Sequence, residues 1–344
     1  MKQYLLPEGG NFYKANMHIH TTISDGNMTP EEVKAWHVDH GYSIVAFTDH
    51  EALVPHNDLT DENFLAVTAV EVMIIEAWPG VHAYKRCYHL NLYAKDKNKD
   101  VYSTFDEKSF WPAHAKEFVT EECAAVKYRR LYNPDAINDL IARSNHEGFL
   151  VCYNHPDWST QRYPDYAGLE GLWGIEVFNS GCNRSGHRED GQPFDDLLHL
   201  NKNVFPVCAD DAHGKGSCGY GWIQVKADAL DYDTVMKALE RGDFYASTGP
   251  EIYDLYIEDG VVHASFSDAV EVFLRTERRV TRGKRASEDA PVNSVAFDIN
   301  QFIEDSKHEI AMRYRPWFRF EIKDRRGNLA YTRAYFLDEL GLIP

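Results

Sequence analysis

The chain has 344 residues, 44% of them hydrophobic, and a formal net charge of −18 with histidine neutral. That apolar fraction excludes a disordered polyelectrolyte, and the length suits one large domain with a smaller one attached. Such an excess of carboxylate leaves no footprint for long nucleic acid, which is held by Lys and Arg on its phosphates; a small phosphorylated molecule stays open, because bound metals reverse the local sign.

The opening MKQYLLPEGGNFYKANM has no apolar run of secretory type. No stretch of about 18 apolar residues occurs, so neither a leader nor a membrane partner is expected. Cys87, Cys123, Cys152, Cys182, Cys208 and Cys218 form no CxxC pair, and reduced, mostly buried thiols of a cytoplasmic protein are expected.

In chain order, Asn16–His20 reads as a short strand leading into the loop TTISDGN. Thr29 caps a helix, with Pro30 at its first position and Glu31 and Glu32 in its first turn, ending near Gly41. Tyr42–Thr48, Phe64–Val72 and Tyr88–Tyr93 are β-branched and aromatic, hence strands. The charged, aromatic segment 95–133 reads as an insertion, either a lid or specificity element or a solvated helical insert. Asn133 and Pro134 open a helix that Gly148 stops, Phe149–Tyr153, Gly174–Phe178 and Val204–Ala209 are buried-type strands, and Asp231 caps a helix ending at Gly242. Strand–helix alternation implies a mostly parallel α/β sheet, open or closed into a barrel. After Ser247-Thr248-Gly249-Pro250 helical periodicity nearly disappears, which places a boundary near 249 and a small β-rich module over 250–344.

Polar triplets gather at the strand ends. His18 and His20 share one face of an extended chain, a chelating pair for one metal. Asp25 is a further ligand or a turn aspartate before Gly26. Thr48-Asp49-His50 ends the run YSIVAF; His50 is a ligand with Asp49 orienting it or a neighbour, or the triplet is a helix cap. Glu71 ends LAVTAV, where a carboxylate is costly to bury unless paired or metal-bound; with two oxygens it can bridge two metals, and it is counted among the catalytic groups. His89 and His155 lie in or just after apolar runs, and Asp211-Ala212-His213 repeats the i, i+2 spacing, with Asp210 as a competitor. Each position alone has a plain structural reading, but together they put six histidines and three carboxylates at successive strand ends. No GxSxG, GxxxxGK[ST] or GxGxxG motif competes. The donor set suits two or three divalent ions such as Zn, Mn or Fe. Those ions would outweigh the carboxylates, attract a phosphate and turn a bridging water into hydroxide. Arg184 and His187, in the loop after IEVFN, and Lys215 after DAHG are candidate phosphate contacts; His187 is also a candidate proton donor to the leaving group, and Arg184 and His187 count as catalytic candidates. His37, His40 and His199 read as structural.

The motifs HIHTTISDG (18–26), TDH (48–50), Glu71, HLNLY (89–93), NHP (154–156), IEVFN (175–179) and DAH (211–213) resemble the PHP superfamily, named for polymerase and histidinol phosphatase domains. The resemblance spans residues 16–249 and implies a distorted (β/α)7 barrel with metals at its C-terminal rim. It further implies one metal on His18, His20, Glu71 and Asp211, a second on Glu71, His89 and His155, and a third on Asp25, His50 and His213. The sequence ERGDFYASTGPEI with its β-rich tail looks like a hydrolase branch that includes members proposed to act on other esters. Asn154 and Asp210 depart from the family's frequent residues without removing a ligand. The expected activity is a phosphoesterase of a di- or trinuclear site acting on a small phosphorylated metabolite or nucleotide through a metal-bridging hydroxide. The alternatives are hydrolysis of a carboxylic or carbamate ester or an amide, and a non-catalytic metal-binding module.

Overall fold

The computed structural model describes residues 2–76, 86–110, 112–279, 281–287, 290–309 and 314–344. After β1 (Lys2–Tyr4) and β2 (Asn11–Asn16), α1 (Pro30–Asp39) starts where its caps dictate. The Glu32 N–H donates to the Thr29 hydroxyl and the Thr29 N–H to the Glu32 carboxylate, a reciprocal capping box. β3 (Ile44–Phe47), β4 (Leu65–Ile75) and β5 (Cys87–Ala94) follow, and every residue of β3 and β5 is buried. α2 (Glu121–Ala124) lies in the charged insertion beside two short 3-10 turns, and α3 (Pro134–His146) is capped by Asn133. Next come β6 (Phe149–Tyr153), α4 (Tyr163–Tyr166), β7 (Gly174–Asn179), α5 (Ser180–Arg184), α6 (Gln192–His199), β8 (Phe205–Ala209), β9 (Trp222–Ala227), α7 (Tyr232–Arg241) and β10 (Phe244–Ser247).

Strands β2 to β10 lie in one large mixed sheet, ordered β10-β9-β2-β3-β4-β5-β6-β7-β8. β2, β3 and β4 are parallel, β5 runs antiparallel to both its neighbours, and β6, β7 and β8 are parallel again. The first ladder departs from the sequence expectation of a strand at Asn16–His20: it occupies Asn11–Asn16, and beyond it Ile19 makes an isolated bridge to Ala212. The polar residues of NFYKAN mask this strand. Lys14 fits it by laying its ammonium over the rings of Tyr42 and Trp222, 4.0 and 4.1 Å from their centroids. All six cysteines are free and buried.

Of the remaining strands the first three alternate buried and open residues, the pattern of a sheet covered on one face. The full set is β11 (Ile252–Glu258), β12 (Val261–Ala269), β13 (Glu271–Thr276), β14 (Arg282–Arg285), β15 (Val292–Asp298), then, after α8 (Asn300–Glu309), β16 (Trp317–Lys323), β17 (Leu329–Thr332) and β18 (Tyr335–Phe336). β1, β11, β12 and β15 form a separate antiparallel sheet, and Leu5 and Leu6 join its core, so the first residues of the chain pack with the last hundred. β14, β13, β16 and β17 extend the large sheet through the β17–β10 ladder.

A buried ion pair reinforces that junction. Arg319 on β16 donates from Nε and Nη2 to the two carboxylate oxygens of Asp195 on α6, at 2.8 and 2.9 Å, with the guanidinium fully buried. Removing Arg319 leaves Asp195 only Arg275, and removing Asp195 leaves Arg319 only Glu321, each at 3.2 Å, so losing one partner costs up to about 3–5 kcal/mol, whereas replacing both with apolar residues is far milder. Arg319→Met should therefore lower the urea midpoint strongly, and Arg319→Met combined with Asp195→Leu should recover most of it. Equal loss in the single and double variants would refute the pairing as the cause.

Candidate metal centre

His18 and His20 follow β2, and the His20 N–H donates to the Ala212 carbonyl at 3.1 Å, so the HxH and DxH segments lie side by side. His50 follows β3 and bridges Glu71 of β4 in parallel. His89 stands on β5 opposite Met73, and His155 follows β6. The loop that carries Asp25 is held by Asp49, whose buried carboxylate accepts from the Thr21 and Ser24 N–H groups at 2.7 and 3.1 Å and from their hydroxyls at 2.8 and 2.6 Å. Gly26 closes this loop; a Cβ there would lie 2.2 Å from the His20 carbonyl oxygen. Asp210 anchors another loop, accepting from the N–H groups of Gly219, Tyr220 and Gly221 at 2.7, 3.0 and 3.0 Å.

Glu71 stands at the centre. Its Oε1 is 3.3, 3.1 and 3.2 Å from His18 Nε2, His89 Nδ1 and His155 Nε2, and its Oε2 is 3.3 and 3.2 Å from His20 Nε2 and His50 Nδ1. Asp211 Oδ1 is 3.3 and 3.1 Å from His18 Nε2 and His20 Nε2. Asp25 Oδ2 is 3.4 and 3.8 Å from His213 Nε2 and His50 Nε2. The structure thus brings all nine candidate ligands into one cluster. Single donor atoms lie within 4.8 Å of one another in four overlapping groups: His20, Asp25, His50 and His213; His18, His20 and Asp211; His50, Glu71 and His89; His18, His155 and Glu176.

The donor chemistry fits divalent cations. His18 Nδ1 is 2.8 Å from Glu176 Oε1; a proton donated there leaves the Nε2 lone pair facing the cluster, the tautomer of a ligating imidazole. His18 Nε2 and His20 Nε2 face each other at 3.2 Å. Ligands on one tetrahedral ion with bonds of about 2.0–2.1 Å stand about 3.3 Å apart. Buried His50 Nδ1 and Asp211 Oδ1 face cluster atoms without the alignment of a hydrogen bond, and buried His89 Nε2 has no hydrogen-bond partner among the described residues, a costly state for polar atoms unless a cation meets them.

The charges agree. Burial would raise the Glu71 carboxyl, but the imidazoles of His18, His89 and His50 hold it well below the usual carboxylate range. Burial would lower His20, yet Asp211 and Glu71 raise it to about 10. Burial and neighbouring His20 push His50 down to about 3. The carboxylates therefore stay ionised and draw positive charge into the cluster, which protons or metal ions can supply.

The surroundings fix the ligands. Asn154 donates to Glu71 Oε1 at 2.8 Å, and Asn179 donates to Asp211 Oδ2 at 3.1 Å and to Glu176 Oε2 at 2.9 Å. Glu51, His155 and Asp211 have positive φ of 63°, 25° and 48°, a conformation side chains rarely adopt. Glu176 was within reach of sequence reasoning, as a carboxylate inside the apolar run GIEVFN, the same signal that marked Glu71. Nothing in the sequence marked Trp158, and Lys108 was marked only as part of the 95–133 insertion; both line a cavity of about 500 Å³ over the cluster. Arg184, His187 and Lys215 do not line it: Arg184 stacks on Tyr220 at 5.3 Å, His187 Nδ1 lies 3.6 Å from Asp157 Oδ2, and Lys215 is exposed. His37, His40 and His199 each bring Nδ1 to a main-chain carbonyl one turn back, at 2.8, 2.6 and 2.7 Å.

No protein-family model and no curated protein matches the chain. Solved structures similar to it include a two-domain protein containing a predicted PHP-like metal-dependent phosphoesterase from Bacteroides vulgatus, at 15% identity over 97% of this chain and 98% of that one, with a TM-score of 0.45. A candidate metal-dependent phosphoesterase from Bifidobacterium adolescentis is 18% identical over 69% of this chain and 98% of its own, with a TM-score of 0.40. The lesion-specific endonuclease EndoQ from Pyrococcus furiosus is 13% identical over 67% and 56%, with a TM-score of 0.41. At these values the chemistry of this chain rests on its own residues.

Glu176 provides the sharpest check of the cluster. Glu176→Ala removes the partner of His18 Nδ1, and loss of such a partner weakens metal binding by about 10–100-fold. Competition of the folded variant against a chelator dye should show that loss; unchanged affinity would separate Glu176 from metal binding.

Proposed function

We propose that this chain is a metal-dependent hydrolase of the PHP type that cleaves phosphoester bonds in a small phosphorylated molecule. Residues 1–249 would form its hydrolase domain, with strands of the mixed sheet as a distorted (β/α)7 barrel, and 250–344 a β-rich module against which residues 2–6 pack. The observation that carries the reading is one buried glutamate, Glu71, with imidazole nitrogens of five histidines within 3.3 Å of its two oxygens. Few roles other than sharing metal ions account for so many basic donors on one dry carboxylate.

His18, His20, Glu71 and Asp211 would hold one ion, Glu71, His89 and His155 a second, and Asp25, His50 and His213 a third. Bound divalent ions supply Lewis acidity and a water of lowered pKa. The chain's own part is to hold the ligands still. Glu176 fixes the His18 tautomer, Asn154 and Asn179 occupy lone pairs of Glu71 and Asp211, and Asp49 ties the Asp25 loop to the end of β3. Arg184, His187 and Lys215 would act only on a part of the substrate extending beyond the cavity. The apolar wall of that cavity also accommodates a carboxylic ester or amide, so both classes belong on the substrate panel, together with nucleotides.

Protein purified without added metal should contain two or three equivalents of Zn, Mn or Fe by elemental analysis and should release phosphate from some member of the panel. Stripping with a chelator should abolish release, and Mn or Zn should restore it. His50→Ala should lower kcat/KM by at least about 100-fold. Turnover that survives complete metal removal would sink the proposal, and metal without phosphate release would favour the carbonyl substrates.

A further inference from the structure

The cavity over the cluster has a floor of ligand atoms and a wall of a different kind. Met73, Ile75, Phe110 and Trp158 make that wall apolar, and Lys108 is the one Lys or Arg lining it among the described residues. Trp158 stands edge-on to two ligand rings, 5.0 Å from His155 and 5.3 Å from His89 between centroids, with its main-chain N–H on Glu189 at 2.7 Å. Lys108 and Phe110 come from the 95–133 insertion rather than from the sheet.

That insertion is braced on the ligand loop itself. Asp106, buried, accepts from the Lys108 and Arg130 N–H groups and from the Arg129 guanidinium, each at 3.0 Å. The buried Arg130 guanidinium donates to the Thr104 carbonyl at 2.9 Å and to Glu51 Oε1 at 2.6 Å. Glu51 is the residue after His50, and its Oε1 also accepts from the N–H of Met73 at 3.0 Å. Tyr102 Oη lies 2.9 Å from the Glu51 carbonyl oxygen. Lys108 and Phe110 are thus carried on a segment pinned beside His50, preorganised over the floor.

Holding a phosphate on metal ions requires no such wall. A sugar or other polyol would find only Ser109 and Lys108 as polar partners on this wall and would set its remaining hydroxyls against Met73, Ile75, Phe110 and Trp158, whereas a flat apolar group gains both burial and aromatic contact. We propose that the insertion is the recognition element of this site and that it selects phosphoesters of aromatic or similarly flat apolar alcohols, the ring seated against Phe110 and Trp158 and the Lys108 ammonium paired with the substrate's negative charge. This rests on the phosphoesterase reading above.

Non-hydrolysable phosphonates separate recognition from leaving-group reactivity. Isothermal titration of the metal-loaded full chain should show phenylphosphonate binding at least about tenfold more tightly than methylphosphonate. Phe110→Ala should bring the ratio close to one with metal content unchanged; Trp158→Ala provides the same reading if Phe110→Ala does not fold. Lys108→Ala should weaken both ligands about tenfold and leave their ratio intact, as loss of a charge-assisted contact does. Equal affinities in the unmodified chain, or a ratio that survives both aromatic substitutions, would overturn the proposal. Binding of neither phosphonate would overturn the phosphoesterase reading, and the proposal with it, a failure distinct from binding without discrimination.

Discussion

A buried carboxylate surrounded by imidazoles governs this molecule. Glu71 sits near the middle of β4 in an otherwise apolar run, where an unpaired charge would cost several kcal/mol or would neutralise itself. The register of the neighbouring strands prevents that. β5 pairs Met73 with His89 and Glu71 with Asn91, which sets His89 Nδ1 3.1 Å from Glu71 Oε1. A slip of one residue would turn His89 to the opposite face and bring its apolar neighbours to the carboxylate instead. The bridge between His50 and Glu71 and the one between Ile19 and Ala212 do the same for the other strand ends. Sheet register and ligand geometry are here one constraint.

The strained residues show where the fold bends to meet it. Glu51, His155 and Asp211 each hold a left-handed backbone, at roughly 1–3 kcal/mol apiece. Each is secured from several directions. The Glu51 N–H is on the Glu71 carbonyl and its carboxylate on Arg130; the His155 N–H is on Glu176; the Asp211 N–H is on the His18 carbonyl. Glu176 serves twice, orienting His18 with one oxygen and holding the His155 backbone with the other. A single carboxylate therefore couples two candidate ligands from distant parts of the chain.

Much of the candidate site was legible in the sequence because most of its residues stand where short apolar runs stop on polar triplets; Glu71 and His89 instead lie inside β4 and β5. Helices α1, α3 and α7 were legible too: Thr29, Asn133 and Asp231 cap them, and Gly242 ends α7 in the left-handed conformation, as caps and glycine dictate locally, whereas α8 stands in the module read as β-rich. What escaped depends on partners remote in sequence. The strand NFYKAN was hidden by a lysine whose cost is removed by two aromatic rings. The role of Glu51 exists only because Arg130 returns to it from 79 positions away. Lys2–Tyr4 pairs with Ile252–Glu258, a match of three residues that no local pattern announces.

The overall charge sharpens what the cavity must do. At −18 the surface repels an anion on average, and screening at physiological ionic strength limits any pull of bound cations to about 8 Å. A phosphorylated substrate on this reading is not steered from a distance; it is held once it has entered, by metal ions below and by contacts at the wall. Affinity must then come from short-range terms, and among these the apolar burial offered by Met73, Ile75, Phe110 and Trp158 is insensitive to the charge around it. On that reading an acidic chain with a floor of bound cations would gain selectivity, since an anion that cannot use the wall would meet the same repulsion with fewer contacts to hold it.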